Sequence, residues 1–426
     1  MSIKAILLGA GIRGAEVYAK HALQYPEELE FVAVAEPDVE KREAFARLHQ
    51  IDAGQTYGDW REVFARPRFA DAVLICMQDR MHYEAAMAAL EQGYHVLLEK
   101  PMSPSPTECI EIEAAARRNQ RVLTICYVLR YTPFWSGIRQ VIEGGGIGKV
   151  VNIQLRENIG FGHMAHSYVR GPWRSTAESS PLVLAKSCHD LDIILWLMNQ
   201  DCRRLTSFGS LFHFKKENMP EGAAEYCTDG CIHVDNCCYS DLRFYLGEGR
   251  RRALHFTRDG SDESIRETIR STPFGRCVYQ CDNDVVDHQV INMEFVNGAT
   301  ASFTLSAFTH DSTRTVHISG TRGEIRGNMT DQAFTVYDFV SGTAREVQVH
   351  DEGGEGCTQM MREFCRLAAE PDNPHAIEAL RGSLQSHMMA FAAEESRLSQ
   401  GMPIEIQEMI MRYRLSSAKT LASAGV

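Results

Sequence analysis

Gly9, Gly11 and Gly14 form a G-x-G-x-x-G arrangement, GAGIRG, directly after the apolar run 3–8. Glycines at this spacing permit a tight turn, backbone approach to a pyrophosphate and close packing of the next helix on the sheet. Ile12 and Arg13 lie in the same loop, and the helix N-terminus that follows faces the phosphates. Glu36 ends the next apolar run, 31–35. A carboxylate there accepts from the ribose 2′-hydroxyl of NAD and repels the additional phosphate of NADP. Arg13 and Lys41 leave some tolerance for NADP.

Glu99-Lys100-Pro101 follows the run 95–98. At the carboxyl edge of a parallel sheet, the Lys100 ammonium can donate to a substrate hydroxyl and ease formation of an alkoxide. His189 falls in the first turn of a helix, where a neutral imidazole can take a hydroxyl proton. Lys186 adds a cation beside it. Asp190 and Asp192 can orient the imidazole or favour the positive end of the helix. Upstream, His163, His166, Tyr168, Arg170, Trp173 and Arg174 gather within twelve positions. Aromatic faces and planar Arg forks together suit a carbohydrate pocket. Arg130 and Tyr131 stand where a pocket between two domains would begin. Cys227, Cys231 and Cys237, with His233 and Cys238 nearby, offer thiolates for a structural zinc or an iron–sulfur cluster, although the spacing matches no common finger or ferredoxin.

These residues need a scaffold, and the chain is long enough to build one. Its 426 residues exceed one ordinary domain, and 44% hydrophobic with 23% charged residues describes a folded globular chain. The formal charge of −12 gives no support to nucleic acid or anionic lipid as partners, and no apolar stretch approaches a membrane span. With no secretory segment evident and an odd count of 13 Cys, the expectation is reduced thiols and a cytoplasmic location.

Runs 3–8, 31–35, 72–76, 95–98 and 122–126 are rich in Val, Ile and Leu without strict alternation, and helical patterns separate them. This predicts a doubly wound parallel sheet. From residue 150 the runs alternate apolar with polar, at 150–157, 289–295, 299–308, 315–320, 333–339 and 345–349, which predicts a predominantly antiparallel open sheet. Asn297-Gly298 suggests a type I′ hairpin turn, and helices are expected at 190–198, 358–369 and 376–398. The resulting division is a dinucleotide-binding domain over 1–128 and a substrate-binding and oligomerisation domain over 129–426, the latter with an outer sheet face that pairs two or four copies.

The GAGIRG loop, AEPD, the QDRMH segment, LLEKP and the open sheet together resemble the Gfo/Idh/MocA family of sugar and polyol oxidoreductases over nearly the whole chain. The resemblance implies an NAD-binding Rossmann domain, with NADP less favoured, contacts to cofactor from Gln78, His82, Glu99 and Lys100, and Lys100 with His189 as the central catalytic pair. It further implies hydride transfer at a carbohydrate, sugar acid, cyclitol or glycoside carbon. The chain departs from the family where many members carry Asp four residues before this His, a position occupied here by Ala185. Lys186 is then expected to work with His189 or to grip an anionic group. Two other readings are glycoside cleavage through transient oxidation and elimination, and a nucleotide-binding sensor without catalysis.

Overall fold

The computed structural model describes residues 2–423, apart from 255, 258, 352, 353 and 371–373. Six strands, β1 (Ile3–Leu8), β2 (Leu29–Ala35), β3 (Thr56–Tyr57), β4 (Ala72–Ile75), β5 (His95–Leu98) and β6 (Leu123–Ile125), form a parallel sheet in the order β3-β2-β1-β4-β5-β6. Helices cover both faces, which is why β4 and β5 are buried at every residue and show no alternation. The strand order reverses between β1 and β4, opening a crevice at their carboxyl ends. Gly9 and Glu99-Lys100 follow β1 and β5 into that crevice.

Nine strands build the second sheet: β7 (Val150–Asn158), β8 (Cys202–Ser210), β9 (His288–Phe295), β10 (Thr300–Ser306), β11 (Thr313–Gly320), β12 (Gly323–Asn328), β13 (Ala333–Asp338), β14 (Ala344–Gln348) and β15 (Ile404–Glu405). Their order is β14-β13-β12-β11-β7-β10-β9-β8-β15, antiparallel except between β7 and β10. β8 eludes a periodicity reading because its pairing with β9 shifts register between Cys202 and Arg204, leaving Arg203 and Arg204 both exposed. The Asn297-Gly298 turn is not type I′. Gly298 alone takes a positive φ, 84°, and the Asn297 side chain accepts from the Ala299 N–H at 3.0 Å. The outer face is also more polar than expected of an oligomerisation surface, with Gln154, Arg156, Ser302, Thr304 and His317 none of them buried.

Helix Cys188–Met198 lies against the inner face of this sheet, and helix Pro374–Leu398 packs on that helix and on β8. Helix Glu355–Ala369 returns to the first sheet, where Met360, Met361, Phe364 and Leu367 join the core of Ile3, Ala5, Leu7 and Leu97. Between β8 and β9 an excursion carries the short helices Asp241–Leu246, Arg250–Ala253 and Asp262–Ser271 around a small core of Tyr245, Ala253, Ile265 and Ile269. No described helix is long and apolar enough to cross a membrane.

Candidate active site

The glycine loop divides its labour by position. Gly9 holds φ 92°, and a Cβ there would come within 2.7 Å of the Cys76 carbonyl oxygen; one on Gly14 would lie 2.3 Å from the Gly9 oxygen. Both positions exclude side chains because backbone already fills the space. A Cβ on Gly11 would meet nothing within 4 Å, so this is the open side of the turn, where a pyrophosphate can approach. Glu36 accepts from the Ala10 N–H at 2.8 Å and the Asp38 N–H at 3.0 Å, which fixes its carboxylate at the loop. Ile12 is 43% exposed, and Arg13 stands 3.9 Å from Glu99. Buried Glu99 accepts from the Tyr18 hydroxyl and from the Lys100 N–H. Gln78 opens the short turn Asp79–Met81 at the same edge. His82 does not present a free ring: its Nδ1 lies 2.8 Å from the Pro101 carbonyl and its Nε2 3.1 Å from that of Met77. Through these contacts the ring ties together the segments that carry Met77 and Pro101.

Lys100 reaches across to the second domain, where its Nζ donates to the Ala185 carbonyl at 2.7 Å. The backbone oxygen of Ala185 thus receives the ammonium at the position where a carboxylate side chain is missing. The Lys100 loop is itself held from the far side. His387 on helix Pro374–Leu398 accepts from the Met102 N–H at Nε2 (2.8 Å), its Nδ1–H donates to Ser383, and burial lowers its pKa to about 4. His189 is buried, with the Tyr127 ring edge-on at 5.7 Å, and its Nδ1 has no hydrogen-bond partner among the described residues. Burial, then the charges of Lys100 and Arg314, hold its pKa well below the usual value, so the imidazole is neutral.

Lys186 is not a free cation. Its Nζ sits 2.8 Å from Glu157 Oε1, while Arg314 reaches Glu157 Oε2 at 2.8 Å and Asp190 Oδ1 at 2.6 Å. Two cations and two anions make a closed buried group behind His189. Burial pushes the Asp190 carboxyl up, against the opposing pull of Arg314, and pushes the Lys186 amine down. Sheet register creates the network, because Arg314 on β11 is the direct partner of Glu157 on β7. Sequence reading missed both residues, although a signal existed. Ile153, Leu155 and Glu157 form one inward stripe, and Arg314, Val316 and Ile318 another, so each strand ends its apolar face with a charge.

Above this group stand three aromatic side chains, His163 against Tyr168 at 5.8 Å and Tyr168 against Trp173 at 6.2 Å, with Trp173 still 37% exposed. Of the other residues expected at the substrate, His166 is buried in the excursion, stacked on Phe274 with its Nδ1 2.8 Å from the Tyr245 hydroxyl. Arg130 forks onto Asp192 and fastens helix Cys188–Met198 to the turn Val128–Tyr131 that follows β6. Tyr131 packs against the first-sheet core, its hydroxyl pushed up to about 12 by burial. Arg174 pairs with Asp282 and Glu178, steadying the loop above the crevice. Each of these side chains is therefore engaged by protein partners, Arg130 with Asp192, Arg174 with Asp282 and His166 with Tyr245.

The expected metal centre is not formed. Among the described residues no three His, Cys, Asp or Glu side chains are grouped to hold a metal ion. Cys227, Cys231 and Cys237 line one narrow cavity, yet burial pushes the Cys227 thiol up to about 12, and His233 directs Nε2 at the Glu221 carbonyl, 2.8 Å away. Metal binding requires thiolates and free imidazole nitrogens.

Residues 3–127 match the profile of an oxidoreductase family with an NAD-binding Rossmann fold, and residues 135–326 match the GFO/IDH/MocA C-terminal domain. A Bacillus subtilis protein designated oxidoreductase YteT is 23% identical over 67% of this chain and 69% of its own length. Inositol 2-dehydrogenase of Klebsiella pneumoniae is 26% identical over 48% of this chain, which spans 56% of that relative's length. Among solved structures, levoglucosan dehydrogenase in complex with NADH and levoglucosan superposes with TM-score 0.70 at 17% identity, covering 95% of this chain and 100% of the other. Aldose-aldose oxidoreductase from Caulobacter crescentus gives 0.67 at 13%, with the same coverage.

Proposed function

Because the chain belongs to the Gfo/Idh/MocA oxidoreductase family, we propose that it is an NAD-dependent dehydrogenase of a sugar, sugar acid or cyclitol hydroxyl carbon. The observation that carries this reading is the convergence of the Lys100 ammonium and a neutral His189 beside a glycine loop whose open side lies at Gly11. Gly9, Gly11, Gly14 and Glu36 would hold NAD, which supplies the hydride acceptor. Glu36 disfavours NADP. Lys100 donates to the substrate hydroxyl and offsets charge developing on its oxygen, while His189 receives the hydroxyl proton. Lys186, fixed by Glu157, contributes a stationary positive charge and no proton transfer. Tyr168 and Trp173 provide the surface for sugar C–H faces. The same reading locates the enzyme with the NAD pool in the cytoplasm and pairs the polar outer sheet face with a second copy.

The test is to incubate purified protein with NAD and a panel of free sugars, sugar acids, cyclitols and glycosides, following absorbance at the NADH band together with proton NMR. Stoichiometric NADH and a new ketone support the proposal. Glycoside cleavage without net NADH replaces it with the redox hydrolase, and cofactor binding with no turnover across the panel favours a sensor. A pH dependence accompanies this mechanism. A base whose pKa is depressed remains competent as acid is added, so the acidic limb of kcat/KM is expected below the ordinary histidine range. A limb centred at the ordinary histidine value that disappears in His189→Asn would contradict the depressed pKa, and a limb that persists unchanged in His189→Asn would remove His189 as the base.

A further inference from the structure

The peptide unit that follows Lys100, Pro101–Met102, is gripped at both of its polar ends. The Pro101 carbonyl accepts from His82 Nδ1 at 2.8 Å, and the Met102 N–H donates to His387 Nε2 at 2.8 Å. Met102 and both imidazoles are fully buried, so neither bond is exchanged for one to water. The two rings arrive from different layers. His82 opens helix His82–Glu91, which packs on β5, whereas His387 lies in helix Pro374–Leu398, which packs on β8. Accepting at Nε2 fixes His387 as the neutral tautomer with its proton on Nδ1. That Nδ1–H is shared between the Ser383 carbonyl and the Tyr127 hydroxyl oxygen, each 2.8 Å away, and the hydroxyl donates in turn to Ser386 Oγ at 2.9 Å. The Tyr127 ring meets His189 edge-on, with centroids 5.7 Å apart. His387 therefore holds the Lys100 segment with one nitrogen and, with the other, the ring that borders His189.

We propose that His82 and His387 are positioning residues for the reaction: together they clamp the Pro101–Met102 peptide and so fix the direction from which the Lys100 ammonium meets the substrate hydroxyl. The assignment rests on the dehydrogenase reading and adds that its geometry is held by a helix residue 285 positions beyond Met102. A peptide plane bonded at its oxygen and at its N–H cannot swing, and the Lys100 side chain spans from it to the Ala185 carbonyl at 2.7 Å. Releasing one end frees the plane to rotate while the glycine loop stays intact. Displacing a reacting group by an ångström in this way costs about 10^2-fold in rate.

A crossed pair of amide substitutions tests it. Counted in bonds from Cβ, the Asn side-chain nitrogen falls where His carries Nδ1, and the Gln oxygen where His carries Nε2. His387→Asn thus keeps the contacts to Ser383 and Tyr127 and loses the acceptor for Met102, which His387→Gln retains. At His82 the order reverses, since Asn keeps the donor to Pro101 and Gln gives it up. With the sugar that the wild-type protein oxidises, kcat is expected to fall roughly 10- to 100-fold in His387→Asn and His82→Gln, and to recover to within about fivefold of wild type in His387→Gln and His82→Asn. Sugar KM and NADH affinity are expected to stay within about threefold throughout, which also certifies the fold. A general loss of packing would not sort the variants in this crossed order. The proposal is overturned if the Asn and Gln variants at either position share one kcat, or if His387→Asn remains within about threefold of wild type. Amide hydrogen exchange at Met102, followed by NMR in protein carrying isotopically labelled methionine, gives a readout without turnover. It is expected to quicken by about tenfold or more in His387→Asn and to stay within about threefold of wild type in His387→Gln. If the wild-type protein oxidises no sugar, that exchange pattern retains the clamp and removes the dehydrogenase. Sugar oxidation with the variants all alike does the opposite.

Discussion

Lys100→Met is expected to lower kcat for sugar oxidation by about 10^3-fold while NADH affinity changes by no more than a factor of a few. The ammonium faces the second domain, donating to Ala185 at 2.7 Å, so its loss removes the positive group beside the reacting oxygen without dismantling the glycine loop. The Ala185 carbonyl also loses its donor, a penalty of roughly 1–3 kcal/mol if the group stays dry. Stability and chemistry are separable: Lys100→Arg restores a donor to that carbonyl and the charge, yet a planar fork cannot reproduce a point ammonium. Rates for Lys100→Arg are expected between wild type and Lys100→Met. Pre-steady-state NADH formation within tenfold of wild type in Lys100→Met would remove Lys100 from the chemical step.

Glu157→Gln is expected to be the most destabilising single change at the site, by about 3–5 kcal/mol. The substitution preserves shape and removes one anion from the closed group, leaving Lys186 buried without a counter-charge and Arg314 with Asp190 alone. The second substitution Lys186→Met, in the Glu157→Gln background, removes the orphaned cation and is expected to restore more than half of the lost stability, a strongly non-additive pair. Urea unfolding followed by tryptophan fluorescence measures both. A single-variant loss under about 1 kcal/mol would mean that water reaches Lys186 and the group is not closed.

The parts of the fold legible in the sequence were those written in local pattern. The parallel strands, the glycine loop and helix Cys188–Met198 announce themselves through apolar runs and G-x-G-x-x-G. Lys100 and His189 became visible through resemblance, since each alone reads as a loop lysine and a helix-start histidine. Glu157 and Arg314 were hidden because cross-strand register joins positions 157 residues apart, and only their place on inward stripes betrays them. The placement of His166 was hidden for the complementary reason. Sequence proximity assigns residues to a loop but not to one of its sides, and the excursion between β8 and β9 draws His166 into its own aromatic core.

The return of helix Glu355–Ala369 to the first sheet bears on how the chain emerges from the ribosome. Its Met360, Met361 and Phe364 cover the face made by Ile3, Ala5 and Leu7, yet they are synthesised about 240 residues after the end of the first domain. At translation rates of about 5–20 residues per second, that apolar face waits on the order of 10 to 50 s for its cover. Nascent chains of this protein are therefore expected to recruit chaperones throughout synthesis of the second sheet. A fragment ending at residue 128 should aggregate or bind a hydrophobic dye when expressed alone, and supplying residues 355–369 as a peptide should reduce that binding.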